Sequence, residues 1–125
     1  MGQAILGYAY AGPYRTRPAY HFTVEDSIYV ADGLGGRKIG SALLGALISR
    51  CEAGPWRQML ANIGDSSNAG SIGLHRRFGF EPIGTLRSTG FKFGRWVDSV
   101  YMQRPIGAGD GSPPLTAGAG AATPP

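Results

Sequence analysis

The spacing of hydrophobic positions changes several times along the chain, and each change marks an element. From Gln3 to Ala11, small and apolar residues alternate with tyrosines and stop at Gly12-Pro13, which predicts a strand closed by a turn. A polar, aromatic loop follows over Tyr14 to Thr23. Val24 to Ala31 predicts a second strand that sends Glu25, Ser27 and Tyr29 to one face and Val24, Asp26, Ile28 and Val30 to the other. Asp26 breaks the alternation. Three glycines and two basic residues lie within Asp32 to Lys38, and then the period lengthens: Ile39, Leu43 and Leu47, with Ala42 and Ala46, form an apolar helical face over Ile39 to Ala53. Gly54-Pro55 ends that helix, and Arg57 to Gly64 predicts a third strand, parallel to the second through a right-handed crossover. Asn68 to Phe80 predicts a short helix whose apolar body is Ile72, Leu74 and Phe78, while Asn68, Ser71 and His75 share one polar stripe. Pro82 to Ser88 and Trp96 to Gln103 predict a closing antiparallel pair joined by GFKFGR. The resulting order β, β, α, β, α, β, β predicts a mixed α/β sheet with helices packed on its faces.

From Gly107 the sequence reads GAGDGSPPLTAGAGAATPP, with too little apolar surface to offset the entropy of ordering it. Residues 1–105 are therefore expected to form the single folded domain, and 106–125 a disordered Gly/Ala/Pro-rich tail. Twelve Lys and Arg against eight Asp and Glu give a net charge of +4, which suits an anionic partner without naming one. The charges are scattered, so neither nucleic acid nor a membrane is the expected partner, although Arg76, Arg77, Lys92 and Arg95 with Phe91, Phe93 and Trp96 could form a stacking surface for a single strand. A lone cysteine, Cys51, excludes an internal disulfide, leaves no metal cluster to expect, and fits a reducing compartment. The opening AILGYAYAG lacks a basic leader and is too short to span a bilayer, so the expected location is cytoplasmic.

The chemistry concentrates in two places. A glycine-rich turn between a strand and a helix leaves backbone N–H groups unpaired and aims the positive end of the helix dipole at them, so Gly33 to Ser41 can cradle a phosphate, with Arg37, Lys38 and Ser41 at its lip. An ordinary βα loop with solvated cations has the same composition. Glu25 lies on the strand that ends at this cradle and His75 on the helix after the neighbouring strand, so both could converge over one end of the sheet and move protons. The alternatives are a Glu25 paired with Arg15 or Arg17, and a stripe in which Asn68 is a helix cap, Ser71 a first-turn solvent residue and His75 a satisfied surface histidine.

Together these segments resemble the GNAT acyltransferase superfamily. GGRKIG, Gly35 to Gly40, is similar to its pyrophosphate-binding Gln/Arg-x-x-Gly-x-Gly/Ala motif, with Gly35 at the Gln/Arg position and Lys38 at the first glycine; N-x-x-S-x-x-L-H-R-R-F-G-F is similar to its second motif, with His75 where tyrosine is commoner. GYAYAGPYRTRPAY, TVEDSIYV, LHRRFGFEPIGTLRSTGFKFGRWVD and MQRP resemble the phosphinothricin-type N-acetyltransferases from about Gly7 to Pro105. The resemblance implies transfer of an acetyl group from acetyl-CoA to the free amine of a phosphinothricin- or methionine-sulfoximine-like amino acid. It implies Glu25 as general base and His75 as a second proton-handling residue. It implies Ile28, Tyr29, Val30, Gly36, Arg37, Lys38, Ile39, Gly40, Ser41 and Asn68 as the acetyl-CoA site, and Arg15, Arg17, Tyr20 and Gly64 as the amino-acid site. The strands flanking the site are expected to splay near a bulge to admit the pantetheine arm. Family members carry a strand, helices and further strand structure before the segment matching Gln3 to Ala11, so the expected fold is a GNAT-like one lacking that start, as in a truncated product. A non-catalytic acyl-CoA-binding fragment is the alternative, and a homodimer is left open.

Overall fold

The computed structural model of the protein describes residues 7–30 and 38–114. In chain order they form β1 (Gly7–Pro13), a 3-10 turn (Pro18–Tyr20), β2 (Thr23–Val30), α1 (Ile39–Glu52), β3 (Gln58–Ile63), α2 (Ala69–Arg77), β4 (Glu81–Lys92) and β5 (Arg95–Pro105). The strands make one sheet in the order β1-β2-β3-β5-β4. β2 and β3 run parallel, as the α1 crossover requires, and every other pairing is antiparallel. The expected element order is therefore present.

The core lies on one side of this sheet. Register sets Val24 beside Met59, Ala61 beside Met102 and Ile63 beside Val100, and Leu44, Ile48 and Cys51 of α1 close over them together with Phe80. Ile72, Leu74 and Phe78 from the α2 segment pack against the same cluster, so both helices cover one face rather than being shared between two. On the other face Tyr8 and Tyr29, directly paired across β1 and β2, stack at 5.2 Å, and both rings are exposed. Contact between the helices depends on glycine: a Cβ on Gly45 would meet the Phe78 ring at 3.3 Å, and one on Gly40 would meet Leu74 at 3.2 Å.

The sheet parts partway along β2. β2 pairs with β3 only over Thr23–Glu25 and Gln58–Leu60. From Asp26 to Val30 β2 is bonded to β1, while β3 continues against β5 alone. The β1–β2 register runs without interruption to Val30, so the strands separate without the expected bulge; the irregular registers fall in β4, at Pro82/Gly84 and Leu86/Gly90.

Two expectations from the sequence need correction. GFKFGR is not a long connection: the ladder runs to Lys92↔Arg95, and Phe93 (φ 52) and Gly94 (φ 74) make a two-residue turn. Nor does the body end at Pro105. Ile106 is fully buried, its N–H donates to the Arg57 carbonyl at 2.9 Å, and the Arg57 guanidinium donates to the carbonyls of Gly109, Ser112 and Pro113. One isoleucine and one arginine supply the anchoring that average composition conceals; residues 115–125 lie outside the described set.

Candidate active site

α2 is defined by its ends. Asn68 caps it, with Oδ1 accepting from the Ser71 N–H at 3.1 Å. At the other end Gly79 takes φ 88, its N–H donates to the Arg76 carbonyl at 3.1 Å, and the Phe80 N–H donates to the His75 carbonyl at 3.0 Å. These stops fix which face of a short helix meets β2. His75, 2 % exposed, points inward. Its Nδ1 lies 2.8 Å from the Ser71 carbonyl and its Nε2 2.8 Å from Asp26 Oδ2. A carbonyl only accepts, so Nδ1 carries a proton, and Nε2 faces the carboxylate. Burial opposes the imidazolium, but the hydrogen bond and charge of Asp26, with the Ser71 carbonyl, outweigh it and raise the His75 pKa.

The polar stripe is therefore a helix cap and a satisfied histidine that is buried rather than at the surface, and the partner of His75 is Asp26, not Glu25. Asp26 is itself 7 % exposed, in the apolar row of β2 where the alternation failed. Glu25 points to the opposite face at the same height. Burial, then the neighbouring Asp26 charge, raises its pKa, and Arg15 acts in the other sense.

A continuous cleft follows the parting of the strands. Its outer lobe, about 460 Å³, is walled by Ile28, Val30, Lys38, Gly40, Ser41 and Asn68, and by Leu74 and Arg77 of α2. Its inner lobe, about 290 Å³, shares Ile28, Asn68 and Ser71 with the outer one and reaches Glu25, Asp26, Asn62, Gly64 and His75. Glu25 and His75 thus open onto one space although they approach it from different faces. Tyr29 sends its ring to the far face, and Ile39 begins α1 without lining either lobe. Gly36 and Arg37 lie outside the described residues. Arg15 stands over the Tyr14 ring at 4.8 Å and lines a separate groove of about 490 Å³ with Leu60, Leu86 and Tyr101. Arg17 and Tyr20 bracket the 3-10 turn, with Tyr20 edge-on to Tyr14 at 5.9 Å, and neither lines the cleft or this groove. Among the described residues no group of three or more His, Cys, Asp or Glu could hold a metal ion, and no helix is long and apolar enough to cross a membrane.

Sequence reasoning missed several wall residues, three of them polar or charged groups that matter to the site. Asn62 and Asp26 are walls of the inner lobe, and Arg77, assigned above to a stacking surface, is a wall of the outer one. Asp26 alone carried a signal, as the acid in an apolar row. Lys38 shows what its substitution into a glycine position costs: it precedes α1 at φ 62, ψ 16, in the left-handed region. Relief of that strain should make Lys38→Gly more stable by about 0.5–1 kcal/mol, read as a higher urea midpoint at constant slope. An unchanged or lower midpoint would mean that the lysine side chain repays the strain.

Comparison with known proteins gives a consistent set of relatives. Residues 1–80 match the model of the Acetyltransferase (GNAT) family. The chain is 59 % identical over 106 residues to a phosphinothricin N-acetyltransferase of Alcaligenes faecalis, covering 85 % of this chain and 54 % of that protein. It is 48 % identical over 99 residues to an L-methionine sulfoximine/L-methionine sulfone acetyltransferase of Pseudomonas paraeruginosa, covering 79 % of this chain and 57 % of the relative. Among solved structures, a GNAT superfamily phosphinothricin acetyltransferase from Sinorhizobium meliloti in complex with AcCoA superposes with a TM-score of 0.85 at 51 % identity, over 90 % of this chain and 60 % of that one. The chain thus spans little more than half the length of these relatives.

Proposed function

The chain belongs to the GNAT acetyltransferase family, and from that premise we propose that it transfers the acetyl group of acetyl-CoA to the free amine of a small amino acid of the phosphinothricin or methionine sulfoximine kind. One observation carries this reading. The edge of β2 that has lost β3 faces a cleft running from the start of α1 to Glu25, which suits a ligand with a diphosphate at one end and a reactive carbonyl at the other.

The donor set fits acetyl-CoA. Backbone N–H groups of the first turn of α1, at Gly40 and Ser41, with the cations Lys38 and Arg77, would hold the diphosphate. Ile28 and Val30 with Leu74 would flank the pantetheine arm, and Asn68 and Ser71 stand where the lobes join. Bound there, acetyl-CoA supplies an activated thioester carbonyl. Glu25 accepts the proton of the substrate ammonium, and its raised pKa makes it a better base than an exposed carboxylate. The amine nitrogen forms a bond to the carbonyl carbon, the C–S bond breaks, and the departing CoA sulfur takes the second nitrogen proton and leaves as thiol. N–H groups on the β2 edge that has lost β3 would donate to the oxygen that becomes negative on the way. Arg15 lines the groove on the Glu25 side of the sheet and acts on Glu25, which supports a role in pairing with the substrate carboxylate. His75 has no vacant ring nitrogen for a reacting proton, so its part is to hold Asp26. A cytoplasmic location belongs to the same reading, supported by the free, buried Cys51. A homodimer does too, supported by the long exposed edge strand β4.

The test is thermal denaturation with and without acetyl-CoA, paired with thiol release on adding methionine sulfone. Acetyl-CoA at a hundred times its Kd should stabilise the chain by about 2.7 kcal/mol, and amine should release thiol. Saturable stabilisation without thiol release would assign a binding-only module, and no stabilisation would end the acyl-CoA reading.

A further inference from the structure

Asp26 is the first residue of β2 beyond its last pairing with β3. From that point no backbone bond fixes the distance between the two strands, so side chains must set it. The Asp26–His75 bond of 2.8 Å does this, joining β2 directly to the helix that follows β3. The imidazole cannot swivel: its other nitrogen is held by the Ser71 carbonyl at 2.8 Å, and the Phe80 ring stands edge-on to it at 4.9 Å. Ser71 is also a wall of both lobes, so the device that orients His75 is part of the cleft it spans.

Stability is a poor reason for such a pair. Removing two charges from water offsets most of their attraction, and buried pairs replaced by apolar residues of similar volume are often as stable or more so. A directional bond does what an apolar contact cannot, because it fixes separation and rotation together. We propose that Asp26 is a positioning residue, whose bond to His75 sets the width of the cleft at the point where the strands part and so aligns the acyl thioester with Glu25. The proposal rests on the acetyl-transfer reading given above. The titratable and charged groups facing this point are His75 from α2, Cys51 from α1 and Glu25 from β2 itself, with Arg15 acting on Glu25 from beyond the end of β1.

Two substitutions separate alignment from folding. The double variant Asp26→Leu/His75→Leu keeps an apolar filling and should fold, yet its kcat/KM for acetyl-CoA should fall roughly 100-fold, mostly in kcat, since small misplacements of reacting groups have effects of that order. Asp26→Asn should recover most of the loss, to within about tenfold of the parent, because its amide N–H can donate to a neutral Nε2 while Nδ1 still donates to Ser71. A folded double variant with parental kcat/KM, or an Asp26→Asn variant no better than the double one, overturns the proposal. A ligand-free measurement keeps this outcome distinct from failure of the acetyl-transfer reading. In Asp26→Ala, amide hydrogen exchange over Ala69–Arg77 should quicken by about tenfold with α1 unchanged. Exchange in α2 equal to that of the parent overturns the bond's role whether or not the chain transfers acetyl groups.

Discussion

Glu25→Gln is expected to lower kcat for acetyl transfer about 1,000-fold while leaving acetyl-CoA affinity within about twofold of the parent. Glutamine keeps the volume and the hydrogen-bonding reach of the side chain but accepts no proton at neutral pH, so the loss falls on the step in which the ammonium becomes a nucleophile. Acetyl-CoA affinity should hold because the residues assigned to the diphosphate lie in the outer lobe, away from Glu25. The same assignment fixes the acid limb of the rate profile. A general base works deprotonated; burial and the adjacent Asp26 charge raise the Glu25 pKa above its ordinary 4.5, so turnover is lost as pH falls through that raised value, on the neutral side of a normal glutamate. In Glu25→Gln that limb should vanish along with most of the rate. Initial rates of thiol release across the acid-to-neutral range, with calorimetric titration of acetyl-CoA, measure both; parental turnover in the variant would take the base assignment from Glu25.

The parts of this site that were legible in the sequence share one property: they depend on residues near one another in the chain. The alternation over Val24 to Val30 gave the two faces of β2 correctly, and the Asn-x-x-Ser spacing marked a helix start that the structure caps through Asn68. What escaped depends on pairings between distant positions. Asp26 was visible as an acid in an apolar row, but its partner is 49 residues away, and local periodicity cannot say which histidine or cation will meet a buried carboxylate. The partners of His75 were hidden for the same reason: it reaches the cleft with Glu25, as the sequence led one to expect, but its two ring nitrogens lie on Asp26 and Ser71. The width of the cleft was equally hidden, since it follows from where β2 and β3 stop pairing. The end of the body was misjudged because composition averages over a segment, whereas one buried Ile106 and one Arg57 guanidinium suffice to hold residues 106–114.

Phe80→Ala is expected to destabilise the fold by about 3–5 kcal/mol, a large part of the roughly 5–15 kcal/mol that holds a domain of this size together. Phe80 is 2 % exposed, among the largest side chains buried this completely, and it follows the glycine that stops α2. Removing the ring leaves a cavity that its neighbours can fill only by moving α2, and α2 is held there by the Phe80 N–H to His75 carbonyl bond and by the edge-on contact of the two rings at 4.9 Å. The effect should therefore reach the cleft. Phe80→Leu, which returns most of the volume without the aromatic edge, should cost less than half as much in urea denaturation. Weakened acetyl-CoA binding in Phe80→Leu, measured well below its unfolding midpoint, would show that the ring also holds His75 against Asp26. If Phe80→Ala instead costs under about 1 kcal/mol, the segment after α2 collapses onto the sheet without the ring, and the packing of α2 cannot be what shapes the cleft.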